Sequence, residues 1–382
     1  MTGDTRGALV RSPAVSAGAE PSVGRPLDEG DPASEPLAAP VVARPRRSLK
    51  FQPGLEGLRG LAVAAVLVFH GGFTWATGGF LGVSTFFTLS GYLITSLLLL
   101  EHSSTGTISL KKFWGRRFRR LMPASLVCLG AVVLLFAPLV ASVSQLETLR
   151  GDVISALAYV ANWHFVFTGQ SYEALFTAPS PVLHFWSLAI EEQFYVVFPL
   201  VMTFLVVVLA AKRRTLAWIL GALAVLSTVE MAWLYNPTDT SRVYYGTDTR
   251  AAELLLGAVL AVVMVERRRI RTRTRNVGVL CGAVALAVVV YLWHAASQAD
   301  SWLYRGGFGM YAVLSCCIVF AATQRGIVRE LLSLSVLRWL GRVSYGAYLF
   351  HWPIFLWLDE ALPSWNIYVL FVLKVAVTLA LA

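Results

Sequence analysis

Apolar runs of about 17–25 residues recur from residue 55 to the end of the chain, punctuated by short basic clusters. Each run is long enough to cross a hydrocarbon core of ~30 Å as a helix. The pattern predicts an all-α polytopic membrane protein with about ten transmembrane helices, over 55–73, 80–100, 121–141, 184–211, 215–233, 250–265, 277–294, 307–322, 343–358 and 366–382. Residues 150–168 do not fit a crossing. They are only moderately apolar, they hold Asp152, Asn162 and His164, and a full crossing there puts Lys212, Arg213 and Arg214 on the outer side. This stretch is expected to be a re-entrant or interfacial segment, shielded from lipid by protein or by a water-filled cavity.

The basic clusters orient the spans. Arg44, Arg46, Arg47 and Lys50 precede the first span, and a basic loop with Lys111, Lys112, Arg116, Arg117, Arg119 and Arg120 follows the second. Arg267, Arg268 and Arg269 again follow an even number of crossings. The positive-inside rule then places both chain ends in the cytoplasm of a protein in the plasma (inner) membrane. Residues 1–50 are rich in Pro, Ala, Gly, Ser and acidic residues and contain no apolar signal core. They are expected to form a disordered cytoplasmic tail, with the transmembrane domain over 51–382. The last apolar run reaches the final residue, which leaves a short natural form and an incomplete domain both open.

Composition adds exclusions. The chain is 57% hydrophobic and 14% charged, against roughly 25% charged in soluble domains, and its mean hydropathy is +0.65. The net charge of +10 comes from 32 Lys and Arg against 22 Asp and Glu. Because the basic residues sit between spans, the excess reads as topology, and nucleic acid is not expected as a partner. The four cysteines lie inside apolar runs without metal-ligand spacing, so neither a metal nor a bound cofactor is expected.

Ionisable groups inside spans are costly and point to function or to a buried polar contact. His70 lies deep in the first span, eleven residues after Arg59. At ~100° and ~1.5 Å per residue, the two side chains fall about 20° apart on one helix face and about 16 Å apart along the axis. Arg59 is therefore expected nearer the cytoplasmic mouth and His70 nearer the membrane middle. Arg116, Arg117, Arg119 and Arg120 make a dense positive patch. It reads as a topology signal or anionic-lipid contact, or as an anchor for a phosphate-bearing donor, which a guanidinium grips with a two-pronged fork. His184, Ser187, Glu191 and Tyr195 share one helical face, with Glu192 about 100° away. Asp248, Arg250 and Glu253 open a later span, as a local ion pair or as site residues. His351 sits inside another span, two residues before the kink-making Pro353, and packing explains it as well as function does.

At these motifs the chain resembles the acyltransferase-3 family of bacterial integral membrane acyltransferases. The matching pieces are Gly57-Leu58-Arg59-Gly60 with His70, Phe86-Phe87-Thr88-Leu89-Ser90-Gly91-Tyr92, and Arg116 to Arg120 before Pro123. They continue with Trp186-Ser187-Leu188 through Glu191-Glu192-Gln193-Phe194-Tyr195, then Asp248-Thr249-Arg250, then Ser344-Tyr345-Gly346 through His351-Trp352-Pro353. The pieces follow the family's order. The resemblance implies transfer of an acyl group, commonly acetyl, from cytoplasmic acyl-CoA to a hydroxyl of a cell-envelope carbohydrate or glycolipid. It also implies that Arg59 and His70 belong to the active site and that the paired arginines serve the donor.

On that reading His70 is the general base, a neutral imidazole that takes the acceptor hydroxyl's proton as it attacks the thioester. Glu191 or Glu192 is expected to orient its ring. CoA phosphates are expected on Arg116, Arg117, Arg119 and Arg120, and oxyanion donors among Ser90, Tyr92 or an arginine of another helix. Trp186, Ser187, Tyr195, Arg250 and His351 are further candidates for substrate contact. Direct transfer and an acyl-histidine intermediate both stand open. The competing class is a multi-pass transporter or flippase for an envelope precursor, which moves its substrate without covalent change.

Overall fold

The computed structural model of the chain describes residues 51–169, 179–265 and 271–382. The expected tail over residues 1–50 and the basic positions Arg267, Arg268 and Arg269 lie outside the described residues. Among the described residues every regular element is helical.

Helix α1 (Pro53–His70) opens on a proline whose missing N–H falls where a helix has no partner to offer. Helix α2 (Gly82–Thr105) ends at Gly106, which takes the left-handed conformation at φ 76° that glycine tolerates. Helix α3 (Leu110–Ala131) runs on through a π-helical turn to Leu139. It begins at Leu110, well before the apolar run, so the arginine cluster rides on the face of a helix and not in a loop. Helices α4 (Val143–Leu157) and α5 (Ala161–Thr168) follow. Then come α6 (Phe185–Thr203), extended to Val208, α7 (Arg213–Leu234), the short α8 (Ser241–Tyr245) and α9 (Thr247–Met264). The chain closes with α10 (Thr272–Ala295), α11 (Phe308–Thr323), α12 (Ile327–Leu332), α13 (Ser335–Ala361) and α14 (Ile367–Leu381).

Each expected span coincides with a helix. Seven of them are long and apolar enough to cross a membrane. Of the other three, α9 carries Asp248, Arg250 and Glu253, α13 carries His351 among tyrosines and tryptophans, and α14 has 15 residues. The count of ten is therefore approximate, and the chain is a multi-pass membrane protein.

The exceptional stretch near 150–168 is a pair of short helices, α4 and α5, broken at Tyr159, whose φ is 54°. With 15 and 8 residues they reach about 22 and 12 Å, less than a bilayer core. The break is pinned to protein. Gln193 donates to the Tyr159 carbonyl and to Asn162 Oδ1, each at 2.9 Å. Asn162 donates in turn to the Tyr245 carbonyl at 3.0 Å and to Thr247 Oγ1 at 2.9 Å. Irregular backbone at membrane depth needs such internal partners.

Two close approaches fix the helices around the site. A Cβ on Gly57 would lie 1.5 Å from the Leu332 carbonyl oxygen, and one on Gly60 2.0 Å from that of Leu337. Helix α1 thus lies backbone against backbone on α12 and α13, with Arg59 held between the two contacts. Gly91 of α2 and Gly257 of α9 make the same kind of notch, their hypothetical Cβ atoms 1.8 Å from Leu254 O and 2.0 Å from Thr88 O. Small residues permit this approach where lipid offers no hydrophobic drive.

Prolines inside helices have a second effect. Lacking an N–H, Pro199 and Pro353 each free the carbonyl four residues earlier. The Tyr195 carbonyl accepts the indole N–H of Trp114 at 2.9 Å, tying α3 to α6. The Leu349 carbonyl accepts from His184 Nε2 at 2.9 Å and from Cys128 Sγ at 3.3 Å. Helix α13 continues through Pro353 to Ala361.

Candidate active site

Helices α1, α2, α3, α6 and α13, with Tyr159 from the α4–α5 break, line a cavity of about 480 Å³, within the ~300–1,000 Å³ usual for ligand sites. Arg59, Arg116, Arg117 and Arg120 line it, as do Glu191 and Glu192. Four guanidiniums therefore face two carboxylates, an excess of cation suited to an anionic ligand. Ser90, Ser187 and Tyr195 also reach it.

The carboxylate of Glu191 is built into this wall. Ser90 Oγ donates to its Oε1 at 2.7 Å, and Tyr195 Oη donates to its Oε2 at 3.1 Å. The two hydroxyls are themselves 2.9 Å apart. The Arg117 guanidinium stacks over the Tyr195 ring, 4.2 Å from its centre, a contact that fixes the arginine's plane as well as its charge. Of the face read from the sequence, Ser187, Glu191 and Tyr195 line the cavity, and His184, just before α6, does not. Glu192 reaches it too, because α2, α3 and the α4–α5 break wrap around more than one face of α6.

At one end of the cavity Tyr348 Oη lies 2.6 Å from Ser187 Oγ, and Tyr348 also donates to the His184 carbonyl at 3.2 Å. Behind this bond three histidines from three elements gather. The His351 ring of α13 meets that of His184, just before α6, edge to face at 5.6 Å between centres, and lies tilted against that of His70 of α1 at 4.9 Å. His351 Nε2 and His70 Nδ1 are 3.2 Å apart.

Several expectations need correction. His70 is the last residue of α1, not a mid-span group, and it is not among the residues lining the cavity. Its ring is met by His351 and the Val66 carbonyl, whereas Glu191 is occupied by Ser90 and Tyr195, so Glu191 does not orient it. Arg119 is exposed and is not among the residues lining the cavity. Tyr92 is buried in the core on the other side of α2 from Ser90. Arg250 is 1% exposed. It pairs with Glu253 at 3.0 Å, donates to Ser84 at 3.0 Å, and lies 4.2 Å from the Phe308 ring centre. Trp186, also buried, forms part of the same aromatic cage. Both hold helices together and do not face the cavity. Asp248 instead pairs with Arg242 of α8, and that hydrogen bond raises the guanidinium's pKa above its usual value.

The sequence profile of the family described as the Acyltransferase domain matches residues 52–382. The chain belongs to this acyltransferase-3 family. Among curated relatives, it is 42% identical to a peptidoglycan O-acetyltransferase of Listeria monocytogenes, covering 81% of this chain and 50% of the relative. It is 40% identical to a putative peptidoglycan O-acetyltransferase of Bacillus subtilis, covering 87% and 53%. A putative O-acetyltransferase of Staphylococcus aureus is 37% identical, covering 81% and 51%. The chain thus spans about half the length of the curated relatives it matches. No solved structure matches it.

For this acyltransferase-3 chain, sequence reasoning missed Tyr159, Ser344, Tyr345 and Tyr348, all of which line the cavity. A signal existed for three of them. Ser344, Tyr348 and His351 lie at i, i+4 and i+7, one face of α13, with Tyr345 one step around. Tyr159 had none, since its position depends on a helix break.

Proposed function

We propose that the protein is an integral membrane O-acetyltransferase that moves an acetyl group from acyl-CoA to a sugar hydroxyl of peptidoglycan. One observation carries the reading. Arg59 shares a cavity with Arg116, Arg117 and Arg120, while the same unbroken helix delivers His70 beyond the cavity's Tyr348–Ser187 end. This arrangement supports a phosphate-bearing donor at the arginines and a base at the far end of the same helix. Family membership and the relatives' names support the acetyl group and the peptidoglycan acceptor.

In this mechanism the arginine end faces the cytoplasm, where the basic clusters hold it. CoA phosphates rest on Arg116, Arg117 and Arg120, and the acyl-pantetheine arm enters beside Arg59. The acceptor hydroxyl oxygen attacks the thioester carbonyl carbon as His70 takes its proton. The carbon–sulfur bond breaks, CoA leaves as thiolate, and the thiolate recovers that proton from His70. The products are the sugar acetate and CoA, with His70 neutral again.

The test is mass spectrometry of ester-linked acetyl groups on peptidoglycan from cells that carry or lack the gene. Acetylation is expected to follow the gene, and His70→Ala protein, inserted at normal levels, is expected to lose the roughly 10²–10⁴-fold share of a general base. Undiminished acetylation by that variant would overturn the base. An unmodified glycan precursor that crosses the membrane with no new ester would favour the transporter.

A further inference from the structure

We propose that His351 is the positioning residue that holds the ring of His70 in place with its lone pair on Nε2; the inference rests on the reading of His70 as the base. Peptide carbonyls accept hydrogen bonds and never donate them. His351 Nδ1 faces the carbonyl of Tyr348. In the neutral ring that nitrogen therefore carries the proton, and Nε2 carries the lone pair. His351 Nε2 lies 3.2 Å from His70 Nδ1, so His70 Nδ1 must supply the proton between them. The Val66 carbonyl, 3.0 Å from the same His70 nitrogen, demands that proton independently. Both contacts give one tautomer, with the lone pair of neutral His70 on Nε2.

The arrangement is held from behind. His351 meets His184 edge to face, and His184 is fixed by its Nε2–H bond to the Leu349 carbonyl, 2.9 Å away, the carbonyl that Pro353 frees. His70 ends α1 and is followed by Gly71 and by Gly72 at φ 77°, and α13 supplies His351 as a lateral partner to its ring. A base works through the nitrogen that bears the lone pair and only when that nitrogen is aimed at the acceptor proton. The other tautomer would turn an N–H toward the place of the acceptor.

The test compares His351→Gln with His351→Asn in the full chain in membranes, with labelled acetyl-CoA. A glutamine amide oxygen reaches the place of Nε2 and still accepts from His70. An asparagine amide reaches only the place of Nδ1, where it satisfies Tyr348 and takes the α13 acceptor away from His70, whose Nδ1 keeps the Val66 carbonyl. His351→Asn is expected to cut turnover about 100-fold, within the general base's share, with KM for acetyl-CoA unchanged. His351→Gln is expected to keep at least about a tenth of native turnover, as an acceptor is retained. Equal turnover of the two variants, the reverse order, or a loss confined to KM overturns the proposal. Full activity of His70→Ala instead overturns the base and the positioning role together, whereas an inactive His70→Ala beside equal Gln and Asn variants sinks only the latter. Should either variant fail to fold, the ¹⁵N ring shifts of His351 in the native protein decide: a lone pair on its Nε2, the acceptor offered to His70, supports the assignment, and a proton on Nε2 with none on Nδ1 refutes it.

Discussion

Arg117→Ala and Arg119→Ala remove the same charge from the same helix, two residues apart, yet they predict different outcomes. Arg117 lines the cavity with its guanidinium 4.2 Å from the Tyr195 ring centre, and Arg119 is exposed outside it. A hydrogen bond to a charged group contributes ~1.5–3 kcal/mol. Losing the Arg117–phosphate contact should therefore weaken acetyl-CoA binding about 10- to 150-fold. Arg119→Ala should stay within ~0.5 kcal/mol, about 2-fold, as surface substitutions do. The assay is calorimetric titration of acetyl-CoA into protein in lipid nanodiscs, at fixed ionic strength because screening changes both numbers. Cysteine-accessibility mapping of the inserted chain controls for orientation, since each variant lowers the positive-inside signal equally. Equal weakening by the two variants would refute the reasoning, for it would mean that the patch acts as diffuse charge. So would native affinity in Arg117→Ala.

Other outcomes follow from packing. Gly57→Ala places a methyl 1.5 Å from the Leu332 carbonyl oxygen and should lower the thermal unfolding midpoint or abolish folded protein, at a cost above the ~1–3 kcal/mol of ordinary overpacking. Gly221→Ala, with nothing within 4 Å, should gain up to ~1 kcal/mol from helix propensity, and an equal loss in both variants would contradict the notch. Arg250→Ala leaves Glu253 buried and uncompensated, which should cost about 3–5 kcal/mol. Arg250→Met combined with Glu253→Leu should recover much of that in the same unfolding measurement. A normally stable Arg250→Ala that fails only in acetyl-CoA binding would return Arg250 to the site.

The parts of the molecule legible in the sequence were those set by local periodicity. A helix places residues by arithmetic alone, so the face of Ser187, Glu191 and Tyr195 was readable before any neighbour was known. The non-crossing stretch was readable as well, from Asp152, Asn162 and the charge count beyond it. What depended on partners from distant segments was not. Arg117 and Arg119 are alike in sequence, and only the wrap of α2 and α6 around α3 separates them. Arg250 has the residue type of a ligand-binding group, but Glu253, Ser84 and the surrounding rings satisfy it completely enough to make it a brace. Glu191 was expected beside His70, and nothing local announces that Ser90, about a hundred positions away, occupies it first. His351 and His70 are 281 residues apart in sequence, and no spacing rule connects them.

Helix α1 carries Arg59 between two backbone contacts and ends on His70, without an interruption between. The helix is in effect a ruler with its zero mark clamped at Gly57 and Gly60. The gap between Arg59 and His70, the proposed donor end and the proposed base, is written in a residue count, and side-chain exchange along α1 leaves it unchanged. Inserting one residue after Leu61 would keep the clamp but swing the imidazole about 100° away from α13 and advance it ~1.5 Å. Substitutions in the cavity walls can therefore change the site's shape while the distance from Arg59 to His70 stays with this one helix.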